Sequence, residues 1–366
     1  MRFSEFVEEW KRLTIGNILT IGSGRDYKHL SAGAIPVYGT GGYMISVSAY
    51  LHDGESVCIG RKGTINKPLY LNEKFWTVDT LFYTHSFKKV LPKFVYNIFE
   101  QVNWLKYNEA SGVPSLSKTI IEQIEVNIPE INEQQKIASF LALIDERIQT
   151  QNKIIEELKR LKASLMQKIF SLHFRFKDEN GSDFPDWEEK KLEEVVEFRN
   201  GKAHENDIDE NGKYIVVNSK FISQNGNIRK YSNECNMPLY KDEIVMVMSD
   251  VPNGKALAKC FLINKNDKYT LNQRICALKA ISCHNPFLYY LINRNEYYLA
   301  FDSGVGQTNL KKDEVLSCPL IIPSSIKEQI KIARFLSQID EKIKVEQQLL
   351  NQYETQKKHL LKEMFV

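Results

Sequence analysis

Side chains able to read a nucleic acid recur in short polar clusters along this chain. In the first half they are Thr40 and Tyr43 in Gly39-Thr40-Gly41-Gly42-Tyr43, then Arg61-Lys62, Lys67, and the run Ser115, Ser117 and Lys118. In the second half they are Asn218 and Lys220, Asn253 and Lys255, Asn272-Gln273-Arg274, and Gln307-Thr308-Asn309 followed by Lys311-Lys312. Arg, Asn and Gln make paired hydrogen bonds to base edges, while Lys, Ser, Thr and backbone amides hold phosphates. Arg61-Lys62 is the best base-reading candidate in the first half. Asn272-Gln273-Arg274 and Gln307-Thr308-Asn309 are the best in the second. A single polar loop is ordinarily only solvated; these gain weight because they fall at equivalent places in two similar halves.

Residues for bond-making chemistry are sparse. Gly60-Arg61-Lys62-Gly63-Thr64 lacks the length and the Lys-Ser/Thr ending of a phosphate-binding loop. Gly22-Ser23-Gly24 has no third glycine and no surrounding βαβ unit. The Asn/Asp-Pro-Pro-aromatic motif of amino-methyltransferases does not occur. The seven histidines show no metal-ligand spacing, and the six cysteines form no C-x-x-C pair, which supports neither a zinc site nor a disulfide framework. Pro185-Asp186-Trp187-Glu188-Glu189-Lys190 does contain the elements of a nuclease metal site. Such a site needs its carboxylates on neighbouring strands, so that a metal-bound water can reach a phosphate. Adjacent residues on a linker cannot converge that way. Trp10 occupies the matching place in the first half without acidic partners, so the segment reads as a solvated turn with Trp187 anchoring the next domain.

The elements that must position the polar clusters come as a repeat. Glu133, Gln134, Lys136, Ile137, Ala138, Phe140, Leu141, Ile144, Asp145 and Glu146 recur at a fixed offset as Glu328, Gln329, Lys331, Ile332, Ala333, Phe335, Leu336, Ile339, Asp340 and Glu341. A repeat of that length means two copies of one module. Fainter echoes precede it. Arg2-Phe3 and Trp10 match Arg175-Phe176 and Trp187, Gly24-Arg25 matches Gly201-Lys202, and Phe94–Ile98 matches Phe287–Leu291. Ser111-Gly112-Val113 matches Ser303-Gly304-Val305, and Ile128-Pro129 matches Ile322-Pro323.

The front of each half alternates short β-rich runs with turns. Strands are expected at Ala34–Tyr38, Ser56–Ile59 and Thr77–Tyr83, and at Lys213–Asn218, Glu243–Met248 and Lys259–Ile263. Helices with proline in the first turn are expected at Pro92–Gln101 and Pro286–Arg294. The back of each half carries a heptad seam. It runs through Ile137, Leu141, Ile144, Ile148, Ile155, Leu158, Leu165 and Ile169, and again through Ile332, Leu336, Ile339, Ile343, Leu350, Tyr353, Leu360 and Met364. Polar residues interrupt both seams at matching places: Gln151 and Glu346, then Lys162 and Lys357. Such breaks cost stability and fix register. At ~1.5 Å per residue each seam is roughly 50 Å long.

The fold expected is therefore α+β. Two α/β domains, residues 1–127 and 191–322, are each followed by a long helix, residues 128–174 and 323–366. Residues 175–190 form an acidic linker, and the helices pair as an antiparallel coiled coil. A chain of 366 residues can bury more than one core, and 43% hydrophobic with 26% charged residues is ordinary for a globular protein. The net charge of +3 means that nucleic-acid binding would use local basic surfaces. No apolar run approaches the ~18–20 residues of a membrane span, and the N-terminus lacks a signal-peptide core. A reducing cytoplasmic setting follows, with no membrane partner.

Two variable heads, each closing on Ser-Gly-Val and Ile-Pro and followed by Glu-Gln-x-Lys-Ile-Ala-x-Phe-Leu-x-x-Ile-Asp-Glu, resemble the specificity subunits of type I restriction-modification systems. The resemblance covers nearly the whole chain. It implies that each head reads one half of a bipartite, asymmetric site in double-stranded DNA and that the coiled coil sets the spacing. It also implies two methyltransferase (M) subunits docked on the helices and restriction (R) subunits joining them. Catalysis is then absent from this chain; S-adenosylmethionine, ATP and Mg are expected in the partner subunits. The repeated segment at the head of each helix is the expected dock, with Glu133, Gln134, Lys136, Phe140 and Asp145 in one copy and Glu328, Gln329, Lys331, Phe335 and Asp340 in the other. The rival readings are a coiled-coil scaffold for protein partners and a nuclease built on residues 185–190.

Overall fold

The structure is a computed structural model and describes residues 2–204, 207–252 and 254–365. The chain forms two compact units, Met1–Glu156 with Val345–Val366, and Glu157–Lys344.

In the first unit, strands β1 (Lys11–Thr14), β2 (Thr20–Ser23), β3 (Ala32–Gly39), β4 (Gly42–Val47), β5 (His52–Gly60), β6 (Leu69–Thr77), β7 (Leu81–His85) and β8 (Glu125–Ile128) are interleaved with helices α1 (Ile15–Ile18), α2 (Pro92–Gln101) and α3 (Lys118–Gln123). The long helix α4 (Ile131–Phe170) follows. Six strands form one sheet in the order β2-β7-β5-β6-β3-β4, with β3 parallel to β6 and the other pairs antiparallel. The β1–β8 pair ties the start of the chain to the strand that runs into α4. Helix α2 starts on Pro92, where a missing amide costs nothing, and turns Phe94, Val95, Ile98 and Phe99 into the core. Ile137, Ala138, Leu141 and Ile144 of α4 complete that core, with Leu360, Leu361 and Met364 from much later in the chain.

The second unit repeats the plan with shorter pieces. Its strands are β9 (Trp187–Lys191), β10 (Val196–Asn200), β11 (Tyr214–Val217), β12 (Tyr231–Ser232), β13 (Pro238–Leu239), β14 (Ile244–Val247), β15 (Ser249–Asp250), β16 (Cys260–Leu262), β17 (Tyr269–Leu271), β18 (Ile275–Ala280), β19 (Thr308–Asn309) and β20 (Pro319–Pro323). Its helices are α5 (Ser219–Ser223), α6 (Asn285–Ile292), α7 (Glu296–Leu299), α8 (Lys312–Leu316) and the long α9 (Ile326–Met364). One sheet becomes two, β10-β18-β14-β16 and β12-β11-β17-β13. The cause is local. Where the first unit has one strand at Leu69–Thr77, the second has β16 and β17 separated by a polar turn in which Asp267 takes a φ of 53°.

Two sequence expectations shift. Thr77–Tyr83 is not one strand: the chain turns at Val78, where the Leu81 amide donates to the Val78 carbonyl at 2.9 Å. The end of the acidic linker is structured, since Trp187–Lys191 is β9 and pairs antiparallel with β20, as β1 does with β8. Trp187 stands against Phe287 at 6.2 Å between ring centres, and Trp10 against Phe94 at 6.1 Å, so the matched tryptophans hold matched helices.

Every seam position named from the sequence is buried or half-buried in α4 and α9. Within the first unit the helices run antiparallel, with Asp145 opposite Lys357 and Gln151 opposite Glu346. Within the second unit Lys162 meets Asp340 at 2.6 Å, while Ile169 packs in one core with Ile332 and Leu336, again antiparallel. The polar interruptions are therefore partners. Each lysine pairs with the aspartate that the repeat places at the same point of the other helix, and Gln151 donates to the Glu346 carboxylate at 2.5 Å. Among the described residues no helix is long and apolar enough to cross a membrane.

Candidate nucleic-acid interface

The loop that closes each head is laced onto the strand it faces, by the same hydrogen bonds in both. In the first head the Leu116 amide donates to the Arg61 carbonyl at 2.8 Å, the Gly63 amide donates to Pro114 O at 2.8 Å, and Lys62 pairs with Ser115 in a β-bridge. In the second, the Leu310 amide donates to Met248 O at 2.7 Å and β15 pairs with β19. The turn after the preceding strand joins the same place. The Arg61 amide donates to Thr80 O at 2.8 Å, and the Met248 amide to Arg274 O at 3.0 Å. By this register Arg61 corresponds to Met248, Lys62 to Ser249, Ser115 to Asn309 and Thr80 to Arg274.

Two matched glycines let those turns sit where they do. A Cβ on Gly24 would lie 1.9 Å from Val78 O, and one on Gly201 would lie 1.9 Å from Asn272 O. No side chain fits either place, which explains why Gly24-Arg25 and Gly201-Lys202 recur although their surroundings differ.

In the first head the result is a cleft of about 650 Å³ whose lining includes Arg61, Lys62, Ser115, Ser117, Lys118 and Asp79. Sequence-distant candidates thus converge. The Arg61 guanidinium lies 6.0 Å over the Phe82 ring, which limits its swing. Lys118 reaches Glu122 at 3.6 Å, one helical turn on. Thr40 stands beside this loop, its hydroxyl 3.7 Å from where a Gly63 Cβ would be. Tyr43 is exposed on β4 with its hydroxyl 3.1 Å from Ser46 Oγ. Lys67 is exposed on the β5–β6 loop and does not line the cleft. Ser117 has a structural duty: its hydroxyl accepts from the Ile120 amide and caps α3. At the neighbouring strand end, burial first, then His52 and Lys118, hold the His85 imidazole below its usual pKa.

In the second head the Gln307 amide donates to Ser249 Oγ at 2.7 Å, and that hydroxyl donates to Asn309 Oδ1 at 2.5 Å. Gln307 and Asn309 are exposed and held together through one serine, while Thr308 is buried and donates to Asp302 at 3.3 Å. Asn272 pairs with Lys202, and Gln273 and Arg274 are exposed at the turn, Arg274 with a φ of 65°. Asp250 accepts from the Val251, Ala256 and Leu257 amides and so shapes the loop that exposes Lys255. Asn253 lies outside the described residues. Asn218 accepts from the Phe221 amide at 2.9 Å as the cap of α5, which commits its amide oxygen to the fold, and Lys220 is exposed on that helix. Lys311 and Lys312 are exposed at the start of α8, with Lys312 5.7 Å over the Phe198 ring.

The residues expected as docks at the helix starts each make contacts within the chain. Arg2 grips the Glu133 carboxylate with two bonds of 2.7 Å, and Arg175 grips Glu328 at 3.3 and 3.1 Å. Gln134 accepts from the Leu91 amide and donates to Pro129 O; Gln329 accepts from the His284 amide and donates to Pro323 O. All four side chains are buried. Buried polar groups must be paired, and here the pairing locks head to stem. Phe140 and Phe335 pack on Phe3 and Phe176, Lys136 pairs with Glu5, Lys331 donates to Lys177 O, and Asp145 and Asp340 bind the seam lysines. The nuclease elements do not converge either. Glu188 pairs with Lys190 on its own strand at 3.0 Å, and Asp186 faces Arg175 at 3.7 Å from a fully exposed side chain. No cluster of three or more His, Cys, Asp or Glu able to hold a metal occurs among the described residues.

Five residues that the sequence reading missed belong to these sites. Asp79 and Thr80 occupy the turn equivalent to Gln273-Arg274, and Ser249 sits where Lys62 does. Val113, in the first cleft, is more than half exposed, as is Val305 in the matching loop. The signal for Asp79 and Thr80 lay in the matched glycines, whose facing turns had to be equivalent.

The family model described as "Type I restriction modification DNA specificity domain" matches residues 7–160 and again 185–355. The chain is similar to the type I restriction enzyme MjaVIII specificity subunit of Methanocaldococcus jannaschii, at 26% identity over 85% of this chain and 76% of that one. It is also similar to the type I restriction enzyme EcoprrI specificity subunit of Escherichia coli, at 25% identity over 45% of this chain and 42% of that one. Among solved structures, the S subunit of a type I restriction-modification system from M. genitalium shares the fold. It has a TM-score of 0.66 and 17% identity, covering 100% of this chain and 98% of that one. A chain from a structure concerning assembly of the type I R-M system aligns with a TM-score of 0.55 and 13% identity, over 99% of this chain and 98% of that one.

Proposed function

Because the chain belongs to the type I restriction modification DNA specificity family, we propose that its two heads read two different halves of one site in duplex DNA. One observation carries this reading. The frame of the interface is the same in both heads, down to the hydrogen bonds that join loop, strand and turn, while the side chains on it differ. Arg61-Lys62 in one frame corresponds to Met248-Ser249 in the other, and Asp79-Thr80 corresponds to Gln273-Arg274. A common frame gives each head the same approach to a groove; different donors and acceptors give each a different base preference. The site read is then asymmetric.

In this reading α4 and α9 set the spacing between the half-sites, and the chain performs no catalysis. Methyltransferase subunits with S-adenosylmethionine, and restriction subunits with ATP and Mg, supply the chemistry. The first turns of both helices lock the heads, and the open faces beyond them offer further docking surface. Ser139, Leu143 and Arg147 form such a face at i, i+4, i+8 on α4, and Arg334, Gln338 and Lys342 recur at the matching places on α9. A groove of about 370 Å³ containing Leu143, Arg147 and Tyr353 supports the first of them.

The test is methylome sequencing of a host carrying this chain with its methyltransferase partner. The expected result is a split, asymmetric word, with one half altered when residues 1–127 are exchanged for another head. A single continuous word, or a word in which both halves change, sinks the reading.

A further inference from the structure

The cationic cleft of the first head contains one carboxylate, and its state is unusual. Asp79 is exposed in the cleft with Arg61, Lys62 and Lys118, yet its carboxylate makes no hydrogen bond or ion pair among the described residues. Three cations nearby would ordinarily draw it into a salt bridge. Asp79 sits in the Val78–Leu81 turn, closed by the Leu81 amide on Val78 O, and the Arg61 and Lys62 amides both donate to the next carbonyl, that of Thr80. The Arg61 guanidinium meets Asp79 only at its carbonyl oxygen, 3.4 Å away.

On a surface meant for phosphates a fixed carboxylate weakens binding to every sequence. On a surface that meets base edges it is selective. In the major groove only cytosine N4 and adenine N6 present amino donors, and adenine places the N7 acceptor beside its own, where a carboxylate is repelled. Cytosine N4 is flanked on its own base by the C5–H edge, which leaves that side open to a carboxylate, and only the paired guanine O6 lies on the other. The corresponding turn of the second head carries Gln273, a neutral side chain that both donates and accepts. Near the second interface, Asp250 is occupied by three backbone amides and Asp302 by the Gly304 amide and the Thr308 hydroxyl. At the equivalent turn, the free carboxylate belongs to the first head alone.

We propose that Asp79 is a specificity-determining residue that accepts a hydrogen bond from the N4 amino group of a cytosine, so that the half-site read by the first head contains a C·G pair at that point. This rests on the reading that the cleft faces DNA.

The experiment uses the full chain with its methyltransferase partner and selection from a randomised duplex library, for the wild-type chain, Asp79→Asn and Asp79→Ala. With Asp79→Asn, whose amide matches adenine N6 and N7, preference at one C·G position of one half shifts toward A·T by roughly tenfold or more, and the other half is unchanged. Asp79→Ala loses discrimination at that position and binds unrelated duplex more tightly, with a steeper salt dependence. An unchanged selected word with both variants overturns the proposal. Arg61→Ala/Lys62→Ala separates the two levels of inference. If that pair weakens duplex binding while the Asp79 variants change nothing, the cleft faces DNA and Asp79 does not read it. If that pair also changes nothing, the cleft is not a DNA surface, and both the proposal and the reading beneath it fall.

Discussion

Replacing Lys357 by methionine should destabilise the first unit by about 3 kcal/mol at pH 7, and by much less at pH 5. Lys357 Nζ lies 2.6 Å from Glu100 and 2.5 Å from Asp145, with its side chain only 10% exposed. It also stands 5.5 Å over the Tyr96 ring. Burial pushes the Glu100 pKa above its ordinary 4.5; Lys357 opposes the rise and Asp145 adds to it. Methionine keeps the apolar stem and leaves two carboxylates facing each other without a cation. Breaking a buried pair from one side costs ~3–5 kcal/mol. Protonation sets a ceiling, because holding a proton on Glu100 at pH 7 costs about 1.36 kcal/mol for each unit above its unfolded pKa, or roughly 3.4 kcal/mol. The lower part of the range therefore applies.

The sign follows from the same linkage. A carboxylic acid with a raised folded pKa binds more protons folded than unfolded, so stability falls as pH rises from the unfolded value to the folded one. The gap between wild type and variant should open only above the pKa of wild-type Glu100, itself raised above 4.5, and widen by ~1.4 kcal/mol per unit until Glu100 of the variant ionises. Because two units can unfold separately, the assay should be local: amide exchange of α2 and of residues 345–364, followed by mass spectrometry at pH 5 and pH 7. Equal protection in both proteins at pH 7, or a gap that shrinks as pH rises, refutes the argument. The matched variant Lys162→Met is the internal control. Lys162 is 20% exposed, Asp340 is 40% exposed, and the Tyr290 hydroxyl still donates to Asp340, so the loss should be nearer 1 kcal/mol.

Gly24→Ala and Gly201→Ala should each cost on the order of 1–3 kcal/mol by overpacking, since both added carbons meet a carbonyl of a fixed turn. Each should also weaken reading of one half-site only, as measured by methylated-word profiles of the two variants; loss in both halves would contradict the assignment. Lys62→Ala and Lys118→Ala should each lower the slope of log affinity against log salt by ~0.9 in a titration with duplex DNA. A parallel loss of affinity at all salt concentrations would show that these lysines touch no phosphate.

Periodicity and repetition made most of the scaffold legible before any coordinates. The seam residues from Ile137 to Ile169 and from Ile332 to Met364 turn inward, and the α2 range read from Pro92 and its apolar spacing is the observed one. What failed has a common cause: the partner of a side chain is invisible when it lies far along the chain. Glu133 and Gln134 look like surface residues of an amphipathic helix. Only the folded chain brings Arg2 and the Leu91 amide to them, and with that the segment becomes an internal lock. Asn218 reads as a base-contact candidate, and its role as the cap of α5, through the Phe221 amide, shows only in the fold. Asp79 was passed over inside a supposed strand because a turn and a strand end share β-prone neighbours. The cleft itself was legible only as three separate clusters, Arg61-Lys62, Thr77–Tyr83 and Ser115–Lys118, whose convergence depends on tertiary register.

The first unit is closed by residues 345–366, which the ribosome adds long after the head they complete. At ~5–20 residues per second, the roughly 190 residues between the two parts of that unit take on the order of 10–40 s to synthesise. For that interval the nascent first head lacks Leu360, Leu361 and Met364 in its core and Lys357 beside Glu100. The apolar residues that they cover are thus left without that cover until the chain is nearly complete. The last residues made are therefore the ones that finish the first domain begun.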